Sequence, residues 1–216
     1  MALTRAQVVA AALEILDEYG LGDLTMRRLA GSLGVQPGAL YWHVANKQAL
    51  LAEVADAIVA ELPVPPAADA TVPPAADATV PPADAARPPA KAPEAVGPLG
   101  EVAAWAHALR RTLLAHRDGA EVVATAYALR SDGDPTVSGL TERVRAAGVP
   151  DVHAGAGAAA LVHYVLGHTA HEQSHPQLAA AAPAEAGPVH DPEQRFRLGL
   201  ALLLDGLALR AVHRPH

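Results

Sequence analysis

Residues 24–47 read LTMRRLAGSLGVQPGALYWHVANK, and the punctuation of that stretch decides the fold. Thr25 is placed to cap a short helix in which Leu29 and Leu33 share a face, and Gly34 closes it. After a Gly-Val turn, Pro37 stands in the first turn of another short helix that runs to about His43. Helix, tight turn and short helix together describe a helix-turn-helix. In that arrangement the first residues of the second helix point into the major groove. Here they are Gln36, Pro37, Gly38 and Ala39. A glutamine reads an adenine edge through paired hydrogen bonds, and an alanine methyl touches the methyl of thymine. The small Gly38 and Ala39 allow close approach. Tyr41, His43 and Lys47 are polar, clustered and suited to phosphate oxygens, as is the exposed amino end of a helix starting at Asn46. The alternative is a plain helical bundle in which Tyr41 and Trp42 are core aromatics; Trp42 is assigned to the core, Tyr41 less so.

Working outward, Thr4 and Gln7 form a capping box ahead of a helix whose Val9, Leu13 and Leu16 recur at helical spacing up to Gly20. Asn46 caps a fourth helix with Leu51, Val54, Ile58 and Leu62 on one stripe. Residues 63–98 then break the pattern. They hold eleven of the chain's 19 prolines and the octapeptide AADATVPP twice, at 67–74 and 75–82. Proline removes backbone donors and disfavours helix at the residue before it, so this stretch is expected to be a flexible, partly polyproline linker. A partner-binding proline motif is the alternative. Beyond it, Val102, Trp105, Leu109 and Leu113 make a stripe that ends in HRDG at 116–119. Short helices are expected over 120–130 and 135–147, and Asp151 is placed to cap a long one rich in small residues. The segment 196–212 is apolar on nearly every side, with Phe196, Leu200, Leu203 and Leu207 on one face and Leu198, Leu202 and Leu209 on others. Such a helix needs partners on more than one face, and a second copy of the chain is the obvious extra one. No segment alternates with a period of two. The expected fold is all-α: a helix-turn-helix unit with its connecting helix at 1–62, a linker at 63–98, and a helical ligand-binding and dimerisation domain at 99–216.

Composition narrows the function. The chain has 216 residues, is 51% hydrophobic and carries a formal net charge of −7. With no cysteine, disulfides and thiolate metal sites are excluded. No apolar run reaches the ~18–20 residues of a membrane span. The start reads as an amphipathic helix and not a signal peptide, so a cytoplasmic protein is expected. Net acidity argues against a sequence-blind polyanion binder. Locally the balance reverses. Residues 1–62 carry seven carboxylates against four cations, whereas the charged residues of 24–47 are Arg27, Arg28 and Lys47. So few cations predict weak non-specific binding and a shallow salt dependence.

The run LTMRRLAGSLGVQPGALYWHVANKQALL resembles the amino-terminal domain of TetR-family transcriptional regulators, and most of all the tetracycline repressor branch. LLAHRDGA at 113–120 and HYVLGHTAHEQSH at 163–175 are similar, more weakly, to parts of that branch's ligand-binding domain. The resemblance implies a two-fold dimer, a palindromic double-stranded DNA operator, repression when bound, and release by a small-molecule effector, with no cofactor, no membrane and no enzymatic activity. Carried over by position, Arg27, Gln36, Pro37 and Ala39 match base-proximal residues, and Thr25, Tyr41, His43 and Lys47 match phosphate-contacting ones. In the tetracycline-responsive members a magnesium-ligating histidine follows HRDGA; this sequence has Val123 there, which cannot ligate a metal. Trp105 and Leu109 fall where the branch lines its pocket, and Tyr127 lies close to the helix turn that reports binding. These residues suggest an apolar, aromatic-lined cavity.

His163, Tyr164, His168 and His171 complete the candidate ligand-binding set. His163 matches a histidine near the ligand in the resembling branch. His168, His171 and His175 lie within about 60° of one another on a helix, so zinc or nickel ligation stands beside a polar pocket, a dimer contact or a solvated face. HEQSH at 171–175 matches the HExxH spacing of zinc hydrolases, but that chemistry also needs an open cleft and a third ligand. Two other readings therefore accompany the ligand-responsive repressor: a DNA-binding dimer controlled by protein partners, and a metal-dependent protein using the helix at 163–175.

Overall fold

A computed structural model describes residues 3–63, 98–130, 134–181 and 191–211, with the side chains of 135 and 175–181 left aside. Among these residues there are nine helices and no strand. The all-α expectation holds. The helices are α1 Arg5–Tyr19, α2 Met26–Ser32, α3 Pro37–Leu40, α4 Lys47–Ala60, α5 Gly100–Ala115, α6 Gly119–Leu129, α7 Pro135–Ala146, α8 Asp151–Ala181 and α9 Pro192–Ala208. The linker expected at 63–98 lies, apart from its two end residues, outside the described residues. No described helix is long and apolar enough to cross a membrane.

Local chemistry starts the elements where the sequence placed them. Thr4 and Gln7 close the capping box of α1, Thr25 Oγ1 accepts from the Arg28 amide, and Asn46 Oδ1 accepts from the Ala49 amide at 2.8 Å. Each such cap satisfies an amide that would otherwise lack a partner and contributes about 1 kcal/mol. Asp151 is different. It lies inside the first turn of α8, where its carboxylate accepts from Arg145 instead of capping. The inner face of α1 is also turned from the expected one: Val8, Ala12, Ile15 and Leu16 are buried, and Val9 and Leu13 only half-buried.

Packing puts α4 between the two halves. Leu50, Val54 and Ile58 are fully buried in one continuous core with Leu16, Leu24, Leu29 and Leu40 before them and Leu109 and Leu113 after. Each leucine so buried stabilises the fold by about 1.5–3 kcal/mol. α4 packs most closely on α6 and also on α5, so the helix that leaves the helix-turn-helix is part of the C-terminal core. In that half α8 is the central helix, with α5, α6, α7 and α9 around it. α8 and α9 cross closely: a Cβ at Gly199 would overlap the Tyr164 hydroxyl, so a larger residue there would require the tyrosine to move. α9 buries Phe196, Leu200 and Leu207, while Leu198, Leu202 and Leu209 stay 62%, 74% and 85% exposed.

Candidate nucleic-acid interface and effector crevice

The turn between α2 and α3 is made by Gly34 at φ +64°, a left-handed conformation that a side chain would strain, and by the Val35 amide donating to the Ala30 carbonyl at 3.0 Å. It brings Gln36 to the amino end of α3 in an extended conformation. The Gln36 side chain makes no capping hydrogen bond and is exposed, so its amide is available to a base edge. Pro37 occupies the first turn, Pro37 and Gly38 are exposed, and Ala39 is half-buried. Leu40 and Val44 are buried and anchor this one-turn element from beneath.

That anchoring corrects the expectation for Trp42, which is 90% exposed and not a core residue. Leu40 and Val44 are one helical turn apart and share the inner face, which places position 42 on the outer one. Tyr41 is 53% exposed beside it. His43 and Lys47 are half-buried, and Thr25 and Arg27 are exposed. Arg28 donates to Asp23 Oδ1 at 2.7 Å and lies 4.3 Å over the Tyr19 ring, whereas Arg27 and Lys47 enter no ion pair among the described residues. Arg27, Gln36, Tyr41, Trp42 and Lys47 thus stand on a small surface with two uncommitted cations.

Behind this surface lies a clamp that spacing alone did not point to. His116 caps the carboxyl end of α5 and is buried. Its Nδ1 lies 3.1 Å from both carboxylate oxygens of Asp17 on α1, and its Nε2 lies 3.1 Å from Glu61 Oε2 at the end of α4. Carboxylates only accept, so both ring nitrogens donate when the ring is protonated to the imidazolium. Burial pulls the His116 pKa down, but the hydrogen bonds to Glu61 and Asp17 outweigh it and hold it above the ordinary imidazole value. The next two residues extend the joint: Arg117 donates to the Glu18 carbonyl, and Asp118 Oδ2 accepts from the Leu21 amide at 2.8 Å. Gln173 of α8 completes it by donating to the Leu113 and His116 carbonyls and accepting from the Ala120 amide. HRDG, which the sequence offered as a helix end, is the joint that fixes α1 and α4 to α5. The visible signal was the motif itself.

A group whose pKa is raised by folding stabilises fully below its unfolded pKa, and that contribution is lost as pH rises through the raised one. The clamp is therefore complete below about pH 6.5 and weakens above it. Urea melts across pH are expected to show the native protein losing stability relative to His116→Gln as pH rises through this range. Parallel curves for the two proteins would contradict the clamp.

A crevice opens between α4, α5, α6 and α8. Ala55 and Val59 line it from α4, Leu109 from α5, Val123 from α6, and Val162 and Leu166 from α8, and Tyr127, Arg130, Asp134 and Thr136 supply its polar groups. Its interior volume is about 10 Å³, room for a single water. Of the expected ligand-binding residues, Leu109, Val123 and Tyr127 line it. His163 packs edge-on against the Tyr127 ring at 5.2 Å. Trp105 is buried in the core without lining the crevice. Tyr164 and His168 face α9 instead: the Tyr164 hydroxyl donates to the Phe196 carbonyl at 2.9 Å, and His168 Nε2 lies 3.1 Å from the Pro192 carbonyl. His171 is exposed on α8, and the His175 side chain is outside the described residues. Val123 offers the crevice a hydrocarbon surface and no lone pair, so a tetracycline–magnesium complex would find no histidine ligand there. Arg130, missed from sequence, donates to Asp56 Oδ1 at 2.6 Å and to Asp134 at 3.2 Å, with a longer contact to the Ala52 carbonyl. It ties the end of α6 to α4.

Comparisons with known proteins match this architecture along the chain. The family model described as "Bacterial regulatory proteins, tetR family" matches residues 8–54, and "Tetracyclin repressor-like, C-terminal domain" matches residues 100–189. The tetracycline repressor protein class A from transposon 1721 of Escherichia coli is 32% identical over 94% of this chain and 89% of its own length. The crystal structure of BioQ from Mycobacterium smegmatis superposes with a TM-score of 0.73 at 38% identity, covering 97% of this chain and 99% of that one. BioQ with its natural double-stranded DNA operator gives 0.70 at 39% identity, covering 95% and 98%. Streptomyces coelicolor ActR in complex with (S)-DNPA gives 0.69 at 28% identity, covering 98% and 100%.

Proposed function

Because the chain belongs to the TetR family of bacterial regulatory proteins, and so is a DNA-binding transcriptional regulator and no enzyme, we propose that it is a repressor. In this reading it binds a palindromic operator as a homodimer and leaves it when a small molecule enters the crevice beneath α4. The observation that carries the reading is the continuity of α4. Its first residue, Lys47, stands at the phosphate-facing surface, and its Ala55 and Val59 wall the crevice. The crevice holds about 10 Å³, so any ligand larger than a single water must push that wall outward, and α4 then carries the α3 pair out of register with successive major grooves. Support also comes from the relatives, one crystallised on its DNA operator and another with a small molecule. The exposed ridge of Leu198, Leu202 and Leu209 on α9 supports a two-fold partner.

The closed crevice also favours a second reading, in which the dimer is controlled by protein partners and takes no small ligand. Thermal shift across a metabolite and antibiotic library separates the two, since only the first predicts a stabilising compound.

In operator titrations, Gln36→Ala is expected to relax base preference at one position of each half-site by about 1–3 kcal/mol. Tyr41→Ala and Lys47→Ala should weaken binding evenly across sequences, the lysine change also lowering the salt slope by about 1. Equal losses from all three on every sequence would contradict the assigned roles.

A further inference from the structure

The repressor reading leaves the chemistry of the effector open, and the polar groups of the crevice narrow it. Arg130 is the one cation among the described residues lining the crevice. It is shared between Asp134, whose side chain is 7% exposed, and Asp56 of α4, whose side chain is 58% exposed. Asp134 is fixed. Its other oxygen accepts from the Thr136 amide at 2.8 Å and caps α7. Asp56 can turn into water at little cost. We propose that the effector is a compact apolar acid whose carboxylate replaces Asp56 on Arg130 while its hydrocarbon body wedges the crevice open beyond its present volume of about 10 Å³.

Charge decides between ligand classes. A cationic ligand would pair with Asp134 and leave Arg130 holding Asp56, so α4 would stay tied. A neutral ligand offers Arg130 nothing to exchange for a carboxylate. An anion alone competes for the ion pair that reaches α4, leaving only the 3.4 Å contact with the Ala52 carbonyl, and the exchange keeps Arg130 paired, one carboxylate for another. The free energy then comes from moving the apolar body out of water against Leu109, Val123 and Leu166. Ligand binding and the release of α4 become one event, because the displaced Asp56 and the wall residues Ala55 and Val59 lie on the same helix.

This inference rests on the repressor reading, and one experiment tests each separately. The full chain is bound to its operator and titrated with carboxylates, octanoate and benzoate among them, alongside the matching amides and amines; thermal shift is read in parallel. Acids of the panel are expected to lower operator affinity by about tenfold or more and raise the melting temperature, with amides and amines inert. D56N is expected to mimic the acid by weakening operator binding without it, yet to keep the acid-induced melting shift. R130Q should lose that shift. Amides or amines acting as well as acids, a wild-type shift in R130Q, or no response to any acid would overturn the inference while operator binding stands. Absence of operator binding in the unliganded protein would instead overturn the repressor reading.

Discussion

Replacing Leu198 and Leu202 together with aspartate is expected to yield a folded monomer whose operator affinity falls by about 100-fold or more. The two leucines are one turn apart on the outer ridge of α9, 62% and 74% exposed, and Leu209 continues the ridge at 85%. None contributes to the core that holds the chain together, so the substitution spares the fold. A carboxylate in the middle of an interface, by contrast, must either stay hydrated and hold the surfaces apart or be buried unpaired at a cost of several kcal/mol. Once the chains of the proposed dimer separate, each is expected to read only one half-site, and the linkage that makes the second contact intramolecular is gone. Sedimentation together with operator titration measures both quantities. An unchanged dimer, or a monomer with wild-type operator affinity, would show that α9 is not the pairing surface.

The second large effect lies on the opposite side of the same helix. Phe196 is fully buried and is the meeting point of three helices. Tyr164 and His168 of α8 and His107 of α5 pack on its ring with centroids 5.3–5.6 Å away, and the Arg110 guanidinium lies 5.0 Å from its centre. Arg110, itself buried, pairs with Glu172 at 2.9 Å and with Glu193 of α9. Phe196→Ala is expected to cost about 3–5 kcal/mol, a transfer term plus a cavity that the paired Arg110 cannot collapse into. Against the ~5–15 kcal/mol that stabilises a typical domain, this should lower the urea midpoint sharply. Phe196→Leu, which keeps most of the volume, should cost much less. A loss below about 1 kcal/mol for the alanine variant would mean that α9 is not held by this cluster.

What the sequence could and could not convey follows from the range of the interactions. Caps act within three residues, so Thr4, Thr25 and Asn46 were readable directly, as was Pro37 at the start of α3. The inner stripe of α5 was readable because Val102, Trp105, Leu109 and Leu113 are all buried. Trp42 departs from expectation because aromatic character suggests burial, whereas α3 and the turn after it carry only Leu40 and Val44 inward. The clamp at His116 and the tie at Arg130 join residues 55 to 99 and 74 positions apart, and no local pattern announces such pairs. Tyr164 and His168 carried the right chemistry for a pocket, but their helix turns them toward the Phe196 cluster.

In the proposed complex, two copies of the surface from Gln36 to Lys47 read paired bases together. Selection from random duplexes with the purified full chain decides whether they do. The enriched sequences should contain an inverted repeat whose half-sites are centred about one helical turn, or a multiple of it, apart. A single unrepeated half-site, or no enrichment at all, would contradict it.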